Sequence, residues 1–217
     1  DCRNSYLGQL GPLAAAFPKL TWLELTDCRT AFAAGDLQRT AQLAAEGAWT
    51  EMRVLHLCGS PDHCILSLAD LPPLLRHLPR LEVLRLLAVE YSVAAMYDVL
   101  AAAPALKAFD LECSQLIKQS DAAEPSAPPA GFSLPHLTFL EFRNLEADFD
   151  LTPLLSAAPQ LSVLKLAGCE RMRLSEPLPS LPLRKLMVHS CVSLGDREKI
   201  AKLRPKDRFC EVDLWPR

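Results

Sequence analysis

The chain has 217 residues, half of them apolar, with 23 Lys and Arg against 26 Asp and Glu and a formal net charge of −3. This near-neutral balance excludes a general electrostatic attraction to nucleic acid or to anionic lipid. The purely apolar runs, such as residues 13–17 and 99–103, are far shorter than the ~18 residues that a membrane span needs.

The N-terminus and the cysteines bear on the compartment. The chain begins at Asp1, without Met, and its first residues do not form a signal peptide. We therefore expect a fragment or a processed form, with a further module possible upstream. The eight cysteines could form disulfides in a secreted chain. The missing secretion signal instead favours a reducing compartment, cytoplasmic or nuclear, with an organellar assembly as the alternative.

A leucine pattern with the template L-x-x-L-x-L-x-x-(N/C) repeats along the whole chain. The complete copies end in Cys and begin at residues 20, 161 and 183. Further copies, which begin at 52, 81, 106 and 137, keep the apolar triplet but not the final Cys or Asn. Insertions between the copies make the spacing irregular. The pattern predicts about seven repeats in a single domain, residues 1–217.

Each copy predicts a short strand, because the two Leu of x-L-x-L-x point to the same side and enter the core. The residues between these leucines then lie on the opposite face. One repeat cannot bury its apolar side alone, so neighbouring repeats must stack. The alternating residues 209–214 predict a last strand without a full repeat.

Between the strands the apolar spacing becomes helical, over residues 37–45, 71–78, 93–103 and 151–158. Asp36, Asp70 and Ser92 are predicted N-caps of these helices. In five repeats a proline two residues before the first apolar residue of the template ends the preceding helix, since proline cannot continue a helix. Residues 120–131 have the composition of a flexible insertion, and residues 173–182 predict an extended or single-turn connection.

These elements predict an α/β leucine-rich-repeat solenoid, with a curved parallel β-sheet on the concave face and helices on the convex face. The combination of L-x-x-L-x-L-x-x-C with LLxxxPxLxxLxL resembles the ribonuclease-inhibitor-like and F-box class of leucine-rich repeats. The segment LTPLLSAAPQLSVLKLAGCERMR looks like the repeats of F-box/leucine-rich-repeat proteins, and the resemblance covers about residues 7–214.

The resemblance implies a substrate-recognition part of a cullin-type ubiquitin ligase, in which F-box helices bind a Skp-type adaptor. This sequence contains no F-box segment, so the adaptor and the cullin would have to bind through a segment upstream of Asp1. Other proteins with such repeats are inhibitors, immune sensors or assembly scaffolds, and the fold alone does not choose among them.

Chemical motifs are few. His56, Cys58, His63 and Cys64 could supply four zinc ligands, but their spacing matches no familiar zinc pattern and favours a strand followed by a polar turn. The chain has no phosphate-binding glycine loop, nucleophile elbow or HExxH motif. The sequence therefore predicts no enzyme, no cofactor and no metal site.

The predicted concave face supplies the candidate partner-binding residues. They are Trp22, Glu24, His56, Arg85, Asp110, Glu112, Phe139, Glu141, Arg143, Lys165, Lys185, Met187 and His189. Trp22, Phe139 and Met187 are the predicted anchors, because interface cores favour such side chains. Acidic residues on the middle predicted strands and basic residues on the last two would orient a partner electrostatically. The alternative is that neighbouring loops or an upstream module cover this face.

The sequence thus predicts a protein–protein interaction module, with the ligase receptor as its specific form. The alternative function is a structural or scaffold subunit of a large multiprotein assembly. An extracellular immune domain is a third hypothesis, and the lack of any Asn-x-Ser/Thr sequon counts against it.

Overall fold

The computed structural model describes residues 9–28, 34–59, 66–116, 128–145, 148–175, 179–189, 191 and 211–215. The α-helices are α1 (Leu10–Ala16), α2 (Ala34–Ala45), α3 (Pro72–Leu75), α4 (Val93–Ala102) and α5 (Thr152–Ala157), and a 3-10 turn spans Leu68–Asp70. The strands are β1 (Trp22–Cys28), β2 (Val54–Gly59), β3 (Val83–Tyr91), β4 (Ala108–Leu116), β5 (Phe139–Arg143), β6 (Phe149–Asp150), β7 (Val163–Ala167), β8 (Met172–Arg173), β9 (Lys185–His189) and β10 (Glu211–Trp215).

Eight of these strands form one sheet in the order β1-β2-β3-β4-β5-β7-β9-β10, so the order in space follows the order in the chain. Every neighbouring pair in this sheet is parallel. The short strands β6 and β8 form a separate parallel pair. The structure confirms the predicted α/β class and the parallel sheet.

The leucine template places one row of fully buried side chains across the sheet. Strand residues alternate between buried and half-buried, as the template predicts. The row pairs equivalent positions of neighbouring repeats, each 0% exposed: Leu55, Leu84, Phe109, Leu140, Leu164 and Leu186. Burial of one such side chain stabilises the fold by roughly 1.5–3 kcal/mol, so the repeated row is a main source of stability. The helical leucines join the same core.

The structure tests the N-caps that the sequence predicted for the helices. Ser92 caps α4, because its Oγ accepts a hydrogen bond from the Ala95 N–H at 3.1 Å, as predicted. The predicted cap at Asp70 is wrong: Asp70 lies in the 3-10 turn, and no side chain caps α3. The prolines at the start of α3 lie in the first helical turn, where the missing N–H costs nothing.

Asp36 is not an N-cap either, because α2 begins at Ala34 and includes Asp36 in its first turn. Its carboxylate is buried and accepts hydrogen bonds from the backbone N–H groups of Leu10 and Gly11, the latter at 3.1 Å. The first N–H groups of a helix have no acceptor within the helix itself, and Asp36 supplies one for these two at the start of α1. Asp36 therefore caps the neighbouring helix instead of its own.

The cysteines at the end of the template in the last two complete copies, Cys169 and Cys191, are both buried. Cys169 is fully buried, its N–H donates to Cys191 Sγ at 3.1 Å, and its thiol donates to the Ala167 carbonyl at 3.4 Å. The side-chain hydrogen bond between the Cys169 and Cys191 thiols, together with burial, raises the pKa of the Cys169 thiol. Both are free thiols. The side chain of Cys28 lies outside the described residues.

The remaining sequence predictions concern the C-terminal half. β10 pairs with β9, which confirms the last strand predicted at 209–214. β8 opens the predicted extended connection 173–182, of which residues 176–178 are not described. Most of the predicted insertion, residues 120–127, also lies outside the described residues. In the described part of the chain, no helix has the length and apolar character to cross a membrane.

Candidate functional site

One face of the eight-stranded sheet carries the side chains that alternate with the buried leucines, and we call it the open face. Its members on β1 to β9 are Trp22, Glu24, Val54, His56, Cys58, Val83, Arg85, Leu87, Ala108, Asp110, Glu112, Phe139, Glu141, Arg143, Val163, Lys165, Ala167, Lys185, Met187 and His189. Most are half-buried. The structure therefore brings all the sequence-predicted binding residues onto a single surface.

Strand pairing aligns these side chains in rows, one residue from each strand. The middle row contains Glu24, His56, Arg85, Asp110, Glu141, Lys165 and Met187. Neighbouring strands lie about 4.8 Å apart, so charged side chains in one row are within reach of each other. The row pattern follows directly from the repeat register.

Arg143 is the centre of an ion-pair network on this face. Its guanidinium lies 2.7 Å from Glu112, 3.2 Å from both carboxylate oxygens of Asp110, and 3.4 Å from Glu141. Burial alone would lower the pKa of Arg143, but the three carboxylates raise it above its ordinary value. Arg85 Nε adds a further contact to Asp110 at 2.7 Å. The buried Asp110 carboxylate is thus held between two guanidinium groups.

Lys165 extends the network to the next strand. Its ammonium lies 3.1 Å from Glu141 Oε2 and 5.0 Å from the centroid of the Phe139 ring. Phe139 is therefore half-buried and partly covered by a cation, unlike the open aromatic anchor expected from the sequence. Met187 is likewise half-buried. Trp22 is 58% exposed and matches the expectation of an accessible anchor.

These ion pairs change the predicted electrostatics of the face. The acidic residues of the middle strands bind guanidinium and ammonium groups from neighbouring strands, as Glu141 does with both Arg143 and Lys165. The charges in this part of the face therefore compensate each other internally. They hold the side chains in place and leave little separated charge with which to orient a partner.

The β1 end of the open face has a different character. The rings of Trp22 and His56 contact each other edge to face, with centroids 5.9 Å apart. His56 Nδ1 lies 3.8 Å from Glu24 Oε2, and 46% of the Glu24 side chain is exposed. Burial lowers the pKa of His56 from its ordinary value of 6.5, and Arg85 acts in the same direction; Glu24 and Asp110 oppose this and do not cancel it. His56 is therefore neutral at neutral pH.

At the other end, β10 continues the sheet beyond β9. Its register places Glu211 beside Lys185 and Asp213 beside Met187. The backbone of β10 therefore extends the sheet by one strand beyond the residues predicted from the sequence to bind a partner.

The zinc hypothesis can be followed only for half of its residues. His56 and Cys58 lie two residues apart on β2 and share the open face, whereas His63 and Cys64 lie outside the described residues. Among the residues that the structure does describe, no group of three or more metal-binding side chains occurs.

Comparisons with known proteins add no assignment. No family model, no curated protein sequence and no solved structure matches this chain.

Proposed function

We propose that the chain is a protein–protein interaction module, built as a leucine-rich-repeat solenoid that binds its partner on the open face. The observation that carries the proposal is the alignment of all the candidate residues on one face of the sheet, with Trp22 exposed on its edge strand. Interface cores are enriched in Trp, Phe, Met and Arg, and all four are present on this surface.

The regular stacking of the strands supports the proposed solenoid. Each leucine template contributes one strand, and equivalent residues pair across the sheet, as Val83 does with Val54 and Ala108. Repeats that contact only their neighbours in this way form elongated, curved arrays with a broad concave surface. A surface of that kind fits a folded protein or an extended segment better than it fits a small molecule.

The ion-pair network supports binding because it prepares the surface in advance. Arg143 and Lys165 are long side chains that would lose conformational freedom if a partner had to order them. Their contacts to Asp110, Glu112 and Glu141 already hold them in place. Partner binding would therefore carry a smaller entropic cost at these positions.

The specific form of this proposal is a substrate receptor of a cullin-type ubiquitin ligase, with a Skp-type adaptor bound outside the present chain. The support for it is the repeat pattern, and it makes a distinct prediction. A ligase receptor must recover the adaptor and the cullin together with its substrates.

The test is affinity purification of the full-length protein from its native cells, followed by mass spectrometry. Two double variants accompany the native protein: Trp22→Ala with Met187→Ala on the open face, and Gln38→Ala with Gln42→Ala on the exposed side of α2. We expect the open-face variant to lose the proteins that bind the open face, while any adaptor and cullin bound outside the present chain are retained. The α2 variant should keep all partners, and the melting temperatures of both variants should be similar to that of the native protein.

The outcomes separate the hypotheses. Equal recovery of every partner other than the adaptor and the cullin by all three proteins would overturn binding on the open face. Recovery of a Skp-type adaptor and a cullin would establish the ligase form. A fixed stoichiometric set without them would contradict that form and favour the structural subunit.

A further inference from the structure

The β1 end of the open face combines an accessible aromatic ring with an accessible carboxylate. Trp22 and Glu24 are two residues apart on the same face of β1, so their side chains start about 7 Å from each other. Trp22 is 58% exposed, and the Glu24 side chain is 46% exposed. His56 lies beside both and forms the inner wall of this corner.

Glu24 differs from the other carboxylates of the open face in its partner. Asp110, Glu112 and Glu141 each contact a guanidinium or an ammonium group. The contact of Glu24 is His56 Nδ1 at 3.8 Å, and this imidazole is neutral at neutral pH because burial lowers its pKa. Among the residues that the structure describes, the negative charge of Glu24 therefore has no cationic partner, and it lies beside an exposed indole.

This pair of groups suits one kind of side chain. The face of an indole attracts a cation more strongly than any other aromatic side chain. A guanidinium is flat, stacks on aromatic rings and donates two parallel hydrogen bonds to a carboxylate. An arginine side chain can therefore make both contacts together, whereas the compact, strongly hydrated ammonium of lysine matches the site less well.

We propose that the corner formed by Trp22, Glu24 and His56 receives an arginine side chain from a basic segment of the protein partner. The inference rests on the proposed function and adds the chemistry of the partner to it. Trp22 stacks on the guanidinium, Glu24 accepts two N–H groups from it, and His56 positions the indole through its edge-to-face contact. The paired charges farther along the sheet do not compete for this arginine.

The test is a selection of phage-displayed random 12-residue peptides on the immobilised chain. Selected peptides are then synthesised and their dissociation constants are measured by fluorescence polarisation. We expect a shared arginine, and replacement of that arginine by Gln should weaken binding about tenfold or more, as loss of a charge-assisted contact does. Glu24→Gln and Trp22→Ala in the chain should each cause a comparable loss.

The control is Glu46→Gln, which removes an exposed carboxylate at the end of α2 and should leave the dissociation constant unchanged. Circular dichroism melts show whether Glu24→Gln and Trp22→Ala fold as the native chain does. The proposal would be overturned if the selected peptides lack arginine, if they bind Glu24→Gln as tightly as the native chain, or if the selection yields no binding peptide. If selected peptides without arginine still bind Trp22→Ala more weakly than the native chain, the open face remains a binding surface and only the arginine assignment fails.

Discussion

Asn144 and Gly168 occupy equivalent turns directly after β5 and β7, and both have left-handed backbone conformations, with φ of 57° and 64°. The Asn144 N–H donates to the Ala167 carbonyl at 2.8 Å, and the Gly168 N–H donates to the His189 carbonyl at 2.9 Å. A Cβ at residue 168 would lie 2.5 Å from Asn144 Oδ1. The turn of one repeat therefore stacks closely on the turn of the next.

Gly168→Ala should destabilise the fold by about 1–2 kcal/mol, because a residue with a Cβ pays that cost in the left-handed region. Contact with the Asn144 side chain adds to the loss unless the amide rotates away. Urea denaturation measures the change in the free energy of unfolding. Gly35→Ala is the matched control, since its Cβ meets no atom within 4 Å and Ala favours a helix by up to about 1 kcal/mol over Gly. Equal stability of Gly168→Ala and the native chain would contradict the stacked turns.

Asp36→Ala should release α1 from the body of the protein. The carboxylate accepts the N–H groups of Leu10 and Gly11 while buried, so its loss leaves two buried donors unpaired. We expect the free energy of unfolding to fall by about 1–3 kcal/mol. The backbone amides of α1 should exchange hydrogen faster in the variant than in the native protein.

Asp36→Asn distinguishes the hydrogen bonds from the size of the side chain. The amide keeps one acceptor oxygen and should show a smaller loss than Asp36→Ala. Unchanged exchange in α1 for both variants would mean that Asp36 does not hold this helix.

The sequence predicted the strands well because the leucine template is local, and each copy keeps the same alternation although the distance between copies varies. Once the copies were aligned, the fully buried positions of β5, Leu140 and Phe142, followed directly. The last strand also followed, from simple alternation. The helix starts followed less well. Asp36 sits where an N-cap is expected, but its partners lie 25 and 26 residues earlier in the chain, and no local pattern shows that.

The sequence predicted which residues lie on the open face, but it did not predict which of their side chains contact each other. Asp110 and Arg143 are 33 residues apart, and only the strand register places them together. Phe139 and Trp22 looked alike in the sequence as apolar anchors. They differ because Lys165 on the neighbouring strand covers one ring, whereas Trp22 lies on the edge strand β1.

Arg143→Ala should destabilise the protein by about 1–3 kcal/mol, less than the loss of a fully buried ion pair because 27% of its side chain is exposed. The variant leaves the carboxylates of Asp110, Glu112 and Glu141 close together without their shared guanidinium. Their mutual repulsion is screened by salt. The loss should therefore shrink between low salt and about 0.5 M NaCl when the free energy of unfolding is measured in urea.

Arg76→Ala is the control for this experiment. Arg76 is an exposed residue at the end of α3, and its removal should change stability by less than about 0.5 kcal/mol at either salt concentration. A loss in Arg143→Ala that does not depend on salt would assign the effect to packing and not to charge.

His56 should make the stability of the protein depend on pH in a defined direction. Burial lowers its pKa in the folded state below 6.5, so between the folded and unfolded pKa values the unfolded chain binds more protons. The free energy of unfolding must therefore rise with pH through this window and fall as pH drops below 6.5. Glu24 acts in the opposite direction and raises the pKa of His56. Glu24→Gln should consequently lower it further.

NMR titration of the imidazole gives the pKa in the native protein and in Glu24→Gln. Urea denaturation at pH 5 and pH 7.5 gives the change in stability, which His56→Gln should reduce and which His77→Gln, at an exposed position, should leave intact. A His56 pKa at or above 6.5 would contradict the burial of this ring between Glu24 and Arg85. A His56 pKa above 7 would also place a positive charge beside Glu24 at neutral pH, and that charge would compensate the carboxylate on which arginine binding depends.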